Sequence, residues 1–292
     1  MNGLIIKALS GFYYVETQEG IIECKARGKF RNIGESPLVG DRVNITVANG
    51  KGTVDEIDER KNKLFRPPVA NIDKLFIISS SVVPTPNTLL IDRMTAICVY
   101  NGIEPIIVFN KNDLERVDYW CDIYRSAGFK TISCSAVTGE GVEEIRKELV
   151  SSVSAFTGNS GAGKSSILNV LFPRLNLSTG DISDKLGRGR HTTRHTELFA
   201  HEYCGYVADT PGFSSLEVDK DDLNFKESLC DLFPEFEDFR YDCRFPDCAH
   251  IGEKGCAVCE AVKDGKVQKT RYDSYKTIYE ELKDVKAWNI KK

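Results

Sequence analysis

The sequence of 292 residues contains no apolar run close to the roughly 18 residues that a membrane-spanning helix requires. Its first residues, Met1 to Thr17, lack the basic head, the long apolar stretch and the small-residue cleavage site of a secretory signal. Low-complexity tracts and repeats of a fixed period are also absent. These absences argue against a membrane protein, so we expect a cytoplasmic protein with no membrane partner.

Excess positive charge is also absent from the chain as a whole. The formal net charge of −4 argues against indiscriminate binding to polyanions such as RNA. Residues 263–292 nevertheless hold nine lysines and arginines against five acids, and residues 185–195 hold four basic residues and no acid. Such patches are more often solvated faces than nucleic-acid sites, so they do not by themselves predict RNA binding.

Disulfide bonds are not expected, although the chain has ten cysteines. Six of them are scattered in apolar surroundings, where reduced thiols behave as small hydrophobic side chains. These six are Cys24, Cys98, Cys121, Cys134, Cys204 and Cys230. The other four lie between Cys243 and Cys259, and this density needs a separate explanation.

Three stretches of the chain differ in their pattern and predict a multidomain protein. Residues 1–65 are short alternating segments separated by glycines, which favours an all-β barrel or sandwich. Residues 66–222 alternate apolar strands with helices, which predicts a central α/β domain with a mostly parallel sheet. Residues 223–292 are predicted to be helical and carry the cysteine-rich segment.

The central domain contains a phosphate-loop motif. Its residues fit G-x-x-x-x-G-K-[ST] and are Gly158, Asn159, Ser160, Gly161, Ala162, Gly163, Lys164 and Ser165, followed by Ser166. The motif follows a predicted strand and opens a predicted helix, so backbone N–H groups can surround phosphate oxygens at the positive end of the helix dipole. We expect Lys164 to reach the β- and γ-phosphates and the Ser165 hydroxyl to coordinate Mg²⁺.

A guanine-reading motif comes earlier in the chain, where Asn110, Lys111 and Asp113 fit N-K-x-D at the end of a predicted strand. The Asp113 carboxylate can accept hydrogen bonds from guanine N1–H and N2–H₂, a donor pair that adenine lacks, which favours GTP over ATP. We expect Asn110 to tie this segment to the phosphate loop and the Lys111 stem to cover one face of the base. A backbone N–H at Ser135 or Ala136, after the next strand, is expected to meet guanine O6.

A D-x-x-G motif ends at Gly212. Asp209 is expected to hold Mg²⁺ through a water, and the Gly212 amide to meet the γ-phosphate. The glycine-rich, basic segment before this motif suits a loop that nucleotide orders. Its Thr193 is our preferred second hydroxyl ligand of Mg²⁺, although Thr192 fits the pattern as well.

Phe213 follows D-x-x-G, where related GTPases carry a glutamine that orients the attacking water. Because phenylalanine cannot orient water, either a partner completes the site or another residue takes this role. His191 can hydrogen-bond water near neutral pH. It is either catalytic or an ordinary exposed loop histidine.

The guanine-reading motif precedes the phosphate loop, so the motif order is a circular permutation of the usual GTPase order. The same sheet can still form because the termini of such a domain lie close together at its surface. The chain leaves the domain soon after D-x-x-G. Movement of that segment with nucleotide is therefore expected to pass into the C-terminal domain.

The clustered cysteines are typical of a metal site. Cys243, Cys248, His250 and Cys256 offer three thiolates and one imidazole, which suit one tetrahedral structural Zn²⁺. A four-cysteine site with Cys259 in place of His250, or a set of free reduced thiols, also fits the spacing.

Taken together, the permuted order and the segments "GNSGAGKSS", "GRGRHTTRH", "DTPGF" and "CRFPDCAHIGEKGCAV" resemble the circularly permuted GTPases that mature the small ribosomal subunit in bacteria. The resemblance covers essentially the whole chain. It implies an N-terminal OB-fold barrel, a P-loop GTPase domain and a C-terminal zinc-binding domain. It also implies that the protein acts late in maturation of the 30S subunit, with GTP or GDP controlling its association and release.

The same resemblance implies particular partners and residue roles. Hydrolysis would be stimulated by the small subunit, with Lys164 and His191 catalytic, and the hydrophobic Phe213 matches the family pattern. The zinc ligands would be Cys243, Cys248, His250 and Cys256, which leaves Cys259 without a metal role. The barrel would contact rRNA, and a monomer is expected. Stacking on bases is a possible role for Phe12, Tyr13 and Tyr14, and Arg188, Arg190 and Arg194 could couple RNA contact to nucleotide state.

Three other classes of protein fit parts of the sequence. A nucleotide-binding RNA adaptor without hydrolysis would explain Phe213, and phosphate release distinguishes it from an enzyme. Asp113 argues against an ATP-dependent RNA remodeller. A redox protein built on the cysteines is not favoured. The one C-x-x-C pair in the sequence, Cys256 and Cys259, is not near the predicted sheet edge.

Overall fold

The first five strands of the computed structural model close into a barrel. The structure describes residues 1–32, 34–48, 50–65, 68–173, 196–209 and 226–282. The barrel strands are β1 (Asn2–Leu9), β2 (Phe12–Thr17), β3 (Gly20–Ala26), β4 (Arg42–Ala48) and β5 (Lys51–Ile57), and a short helix, α1 (Lys29–Asn32), precedes β4. Their order is β1-β2-β3-β5-β4, and β4 pairs back onto β1. This closed five-strand topology confirms the predicted OB-fold barrel.

Alternation of apolar residues explains why these strands form a barrel. Side chains at every second position, among them Val15, Val43, Ile45 and Val54, are buried in its centre. The intervening positions face outward, as expected for strands with one buried face. A two-stranded antiparallel sheet of β6 (Lys63–Phe65) and β7 (Pro68–Ala70) follows the barrel.

A mostly parallel sheet forms the centre of the molecule. Its strands are β8 (Lys74–Ser80), β9 (Glu104–Asn110), β10 (Lys130–Ser133), β11 (Val153–Gly158), β12 (Glu197–His201) and β13 (Gly205–Asp209). They lie in the order β10-β9-β8-β11-β13-β12, and all are parallel except β12, which is antiparallel. β11, the strand that leads into the phosphate loop, is the fourth of these six strands along the chain. In the sheet it lies between β8, the first of the six, and β13, the last. The predicted permuted sheet is confirmed.

Helices cover both faces of this sheet. They are α2 (Thr88–Tyr100), α3 (Asp118–Ser126), α4 (Val142–Leu149) and α5 (Lys164–Leu171). In β8, Leu75 and Ile77 pack into the core that includes α2 and α3, whereas Phe76 and Ile78 pack into the core that includes α4 and α5. A strand buried on both faces needs apolar residues at nearly every position, which is why β8 reads as a continuous apolar run.

The barrel joins the central sheet through one strand pair. β1 pairs with β12 in antiparallel register at Lys7 and Glu197, and Lys7 Nζ lies 2.8 Å from Glu197 Oε2. The hydroxyl of Tyr206 in β13 also hydrogen-bonds the Glu16 carboxylate of β2. The barrel therefore contacts the hairpin that ends at Asp209. None of the described helices has the length and hydropathy needed to cross a bilayer.

The C-terminal part is helical. Three 3-10 helices (Lys226–Leu232, Pro234–Phe236 and Arg240–Asp242) are followed by α6 (Ala257–Lys263) and α7 (Lys269–Leu282). Phe233, Phe236, Tyr275 and Ile278 are buried in its core, together with Ala96 of α2. Of the domain boundaries expected from the sequence, the one at residue 222 lies outside the described residues, and the one at residue 65 stays a prediction.

A buried ion cluster that was not predicted from the sequence joins the C-terminal part to the central domain. The guanidinium of Arg271 in α7 is 1% exposed and lies 2.7 Å from Asp92 Oδ1 in α2 and 2.7 Å from Glu235 Oε1. Its guanidinium carbon also lies 4.7 Å from the centre of the Phe233 ring and 5.1 Å from that of Phe129. The two domains therefore share a desolvated charge cluster as well as apolar contact.

The expectation that all six scattered cysteines lie in apolar surroundings is wrong in part. Cys24, Cys98, Cys121 and Cys134 are buried, but Cys204 is exposed and Cys230 is half-buried. Cys204 occupies the turn between β12 and β13 with a positive φ of 57°. Turns lie at the surface, so an apolar strand on each side does not bury the residue between them.

Candidate functional site

Three motif segments meet at one edge of the central sheet. β9, β8 and β11 are parallel neighbours, and their carboxyl ends lie at the same edge. The N-K-x-D segment begins at the last residue of β9, the phosphate loop begins at the last residue of β11, and Ser135 follows β10 closely. Ligands of open α/β sheets bind at this edge, so this is the expected place for a nucleotide.

Asn110 holds these segments together. Its side chain is 2% exposed. Its Nδ2 donates to the Ala162 carbonyl of the phosphate loop at 3.0 Å, and its Oδ1 accepts the Ala136 N–H at 3.1 Å. One buried amide therefore bridges the guanine-reading segment, the phosphate loop and the Ser135–Ala136 segment.

The two outer glycines of the phosphate loop are required by its shape. Gly158 has φ 145°, and a Cβ built there would lie 2.1 Å from the Ile78 carbonyl oxygen. Gly163 has φ 91°, and its Cβ would lie 2.1 Å from Asn110 Nδ2. Either side chain would collide with the structure as well as strain the backbone. The chain therefore turns tightly from β11 into α5, which begins at Lys164.

Lys111 connects the guanine-reading segment to the phosphate loop a second time. Its Nζ lies 2.8 Å from the Gly161 carbonyl oxygen and 2.6 Å from that of Val83, in the loop between β8 and α2. The Ser81 hydroxyl of this same loop donates to the Lys111 carbonyl at 2.8 Å. The role of this loop was not predicted from the sequence. Its signal was a polar and proline-rich stretch directly after a buried strand at the ligand-binding edge.

The groups proposed to read the base differ in their availability. Asp113 is exposed, and its carboxylate has no hydrogen bond or ion pair with the residues that the structure describes. The Ala136 N–H already donates to Asn110, and the Ser135 N–H donates to the Glu140 carbonyl at 2.9 Å. The Ser135 hydroxyl accepts the N–H groups of Val137 and Thr138, which shapes the loop. A contact from Ala136 to guanine O6 would have to share its amide with Asn110.

The predicted Mg²⁺ ligands are described only in part. Ser165 and Ser166 lie half-buried in the first turn of α5. Asp209 ends β13, whose partner in the sheet is the phosphate-loop strand β11. The Asp209 side chain and the remaining switch residues lie outside the described residues. These are His191, Thr192, Thr193, Gly212 and Phe213, together with Arg188, Arg190 and Arg194.

The Cys/His cluster, which comprises Cys243, Cys248, His250 and Cys256, has the dimensions of a tetrahedral metal site. Their ligand atoms all lie within 4.8 Å of one another. Cys243 Sγ is 3.8 Å from Cys256 Sγ, and His250 Nδ1 is 3.4 Å from Cys243 Sγ and 3.5 Å from Cys256 Sγ. Bonds of about 2.3 Å to sulfur and about 2.0 Å to nitrogen give tetrahedral edges of about 3.5–3.8 Å. The cluster therefore fits Zn²⁺.

Cys259 lies outside this cluster. Its Sγ is 3.2 Å from the Tyr272 hydroxyl, and its backbone N–H donates to Cys256 Sγ at 3.4 Å. The Ala257 N–H donates to Cys243 Sγ at 3.3 Å in the same way. Such N–H···S contacts orient sulfur ligands. The geometry therefore favours His250 over Cys259 as the fourth ligand.

Glu253 shapes the loop that carries His250. Its carboxylate accepts the N–H groups of Ala249 and Ile251 at 2.9 and 2.8 Å, on either side of the histidine. Burial alone would raise the pKa of Glu253, but these backbone hydrogen bonds outweigh it and hold the pKa below its ordinary value. Burial also lowers the pKa of His250, which favours the neutral imidazole that binds metals.

The fold and the assembled motifs define a P-loop GTPase with circularly permuted motifs, preceded by an OB-fold barrel and followed by a Cys/His cluster. A family model for the RsgA GTPase matches residues 57–219, and one for the RsgA N-terminal domain matches residues 2–54. The chain belongs to the RsgA GTPase family.

Similar proteins share this architecture along their whole length. The chain is 46% identical over 288 residues to the small ribosomal subunit biogenesis GTPase RsgA of Caldanaerobacter subterraneus subsp. tengcongensis, with 97% of this chain and 96% of that protein covered. The crystal structure of YjeQ from Thermotoga maritima has a TM-score of 0.79 and 34% identity, with 97% and 98% of the two chains covered. That of YloQ, a circularly permuted GTPase, has a TM-score of 0.76 and 36% identity, with 98% and 96% covered.

Proposed function

We propose that this protein hydrolyses GTP as an assembly factor that acts late in maturation of the small ribosomal subunit. The observation that carries the nucleotide part is the bridge from Asn110 to Ala162 and Ala136, which joins three nucleotide motifs at one sheet edge. The names of the similar proteins supply the ribosomal part. The GTP or GDP state would control association with the subunit and release from it, and the protein would work in the cytoplasm as a monomer.

In this proposal the Asp113 carboxylate selects guanine. It is exposed at the ligand-binding edge and can accept both N1–H and N2–H₂ of the base. The Ala136 amide would share its hydrogen with guanine O6, assisted by the neighbouring Ser135. Lys111, held by Gly161 and Val83, would place its stem along the base.

Residues 158–166 would bind the phosphates. The turn at Gly158 and Gly163 would direct backbone N–H groups toward the space before α5, where the helix dipole also favours negative charge. Lys164 would contact the β- and γ-phosphates, and the Gly212 amide would contact the γ-phosphate. Ser165, Thr193 and Asp209 would hold Mg²⁺, which offsets phosphate charge during the reaction.

Hydrolysis needs a water in line with the γ-phosphorus. The water oxygen bonds to phosphorus as the bond to the β–γ bridging oxygen breaks, and GDP and phosphate leave. Because Phe213 cannot orient this water, we assign the role to His191, with the small subunit completing the site. Stimulation by the subunit is part of this proposal.

The two flanking domains would position the enzyme. Zn²⁺ bound by Cys243, Cys248, His250 and Cys256 would cross-link the loop before α6 and serve as a structural ion. The barrel would contact rRNA with its outer face. There, Lys25 Nζ lies 4.9 Å from the centre of the Phe12 ring, and the Tyr14 hydroxyl donates to Glu23. Tyr13 packs against the core instead, which leaves Phe12 and Tyr14 as the candidates for base stacking.

Phosphate release from GTP tests this proposal. We expect wild-type protein to release phosphate faster with purified 30S subunits than alone, Lys164→Ala to lose activity in both conditions, and His191→Ala to lose the stimulated activity. Cosedimentation should show tighter association with 30S in the GTP state than in the GDP state. No hydrolysis with 30S would favour the nucleotide-binding adaptor, and equal affinity in the two states would contradict the switch.

A further inference from the structure

The segment that carries Cys243, the first cysteine of the Cys/His cluster, exposes two aromatic rings. We call residues Tyr241 to Asp247 the cluster loop. Tyr241 is 74% exposed and Phe245 is 44% exposed, and within the described part of the chain Phe245 is the one phenylalanine with such exposure. Asp242, Arg244 and Asp247 are exposed as well. Aromatic residues and arginine are enriched among the few residues that carry most of the binding free energy of protein interfaces.

An arginine guanidinium contacts each of the two rings within the protein itself. The Arg240 guanidinium lies 4.6 Å from the centre of the Tyr241 ring, and that of Arg244 lies 5.4 Å from the Phe245 ring. The Arg244 N–H donates to the Gly255 carbonyl at 3.0 Å, which ties the cluster loop to the chain before α6. Rigid side chains lose little conformational entropy on binding, so the cluster loop is suited to docking.

The charges around the cluster loop select the kind of partner. Five exposed acids lie between residues 231 and 254, namely Asp231, Glu237, Asp238, Asp242 and Asp247, and only Arg244 and Lys254 are exposed bases there. Arg240 is mostly buried and forms ion pairs with Asp231 and Glu237. Acids outnumber bases even when Arg240 is counted. This excess of acidic residues favours a cationic partner over phosphate.

We propose that the cluster loop binds a lysine- and arginine-rich polypeptide segment, so that on the small subunit it docks on protein rather than on RNA. This inference rests on the proposed function. A cationic side chain would lie against the open face of Tyr241 or Phe245 and pair with Asp242 or Asp247. Contact with rRNA would then be left to other surfaces of the molecule.

Site-specific cross-linking on purified 30S subunits identifies the partner. Tyr241 or Phe245 is replaced by the photoreactive residue benzoylphenylalanine in the full chain, and Tyr119 of α3, which is 63% exposed, serves as the control position. We expect cross-links from positions 241 and 245 to Lys/Arg-rich segments of ribosomal protein, above the yield at position 119. Cross-links to rRNA, or yields no higher than at the control, would overturn the inference.

Charge reversal tests the sign of the partner independently. Asp242→Lys combined with Asp247→Lys should weaken cosedimentation with 30S about tenfold if the partner is cationic, whereas an RNA partner would bind more tightly. Tyr241→Ala combined with Phe245→Ala should also weaken it about tenfold, and Tyr119→Ala should not. Metal content and circular dichroism equal to wild type show that each variant is folded.

These measurements separate failure of the inference from failure of the proposed function. Wild-type protein that does not cosediment with 30S would overturn both. Wild-type protein that cosediments but cross-links to rRNA, or that gains affinity on charge reversal, would overturn the docking partner alone.

Discussion

The side chain of Asn110 donates to the carbonyl of Ala162 at 3.0 Å, across 52 positions of sequence. Its other amide atom accepts the N–H of Ala136. In this permuted chain the base-reading segment precedes the phosphate-binding segment, the reverse of the usual order, and the fold must still bring the two together. This buried amide does so together with Lys111, whose Nζ lies 2.8 Å from the Gly161 carbonyl oxygen.

Removal of the Asn110 amide should weaken GTP binding. Asn110→Ala leaves the Ala162 carbonyl and the Ala136 N–H without their partner, at about 1–3 kcal/mol for a buried group. We expect GTP affinity, measured by fluorescence titration, to fall about 10- to 100-fold. Asn101→Ala is the matched control, because Asn101 Nδ2 also donates to a carbonyl, that of Ile97, away from the site. Equal losses in the two variants would contradict the assignment.

A methyl group at Gly163 should abolish nucleotide binding. Its Cβ would lie 2.1 Å from Asn110 Nδ2, so Gly163→Ala breaks the bridge that Asn110 makes. Gly128→Ala carries the same kind of backbone strain, since its φ is 86°, but its Cβ would meet nothing within 4 Å. We expect GTP binding in equilibrium dialysis to be lost in the first variant and kept in the second.

Glu253 should make metal retention depend on pH. Its folded pKa is below the ordinary value of 4.5, so its contribution is present above that value and is lost as pH falls through the folded pKa. At pH 7 we expect Glu253→Gln to release metal to a chelator about tenfold faster than wild type. The difference should shrink as pH falls below about 4.5. Glu260→Gln, which alters an exposed carboxylate paired with Lys263, should leave the rate unchanged.

The buried ion cluster should be costly to break from one side. Arg271→Leu leaves Asp92 and Glu235 buried without their cation, and such losses destabilise proteins by about 3–5 kcal/mol. Arg93→Ala removes a partly exposed pair with Glu281, for which a loss within about 1 kcal/mol is expected. Urea unfolding measures both. If Arg271→Leu lowers the free energy of unfolding no more than Arg93→Ala does, the buried cluster stabilises the protein no more than a partly exposed ion pair.

Local patterns predicted most of the site and of the element types. The phosphate loop and N-K-x-D motif could be placed because each lies at the end of an apolar run, and strand ends share an edge in a parallel sheet. Alternation predicted the barrel strands, but the pairing of β4 with β1 depends on contacts between distant segments. A strand pattern contains no information on its neighbour in the sheet.

Long-range charge pairing could not be predicted from the sequence. Arg271 lies in a helix rich in charged residues, where an arginine is normally exposed, and its partner Asp92 is 179 positions away. The exposed Cys204 shows the opposite limit, because apolar neighbours in sequence did not bury a turn residue. Spacing alone also left Cys259 possible as an alternative to His250, and the cluster geometry agrees with the His250 set that the family resemblance implies.

The most direct test of the central claim is isothermal titration of GTP and XTP into wild type and Asp113→Asn. Guanine offers two donors to a carboxylate, whereas xanthine offers one donor and one acceptor, which match an amide. If Asp113 and the phosphate loop serve one nucleotide, wild type prefers GTP and Asp113→Asn prefers XTP, with each preference lost in Gly163→Ala. A variant that still prefers GTP, or that binds both nucleotides as wild type does, would contradict the account.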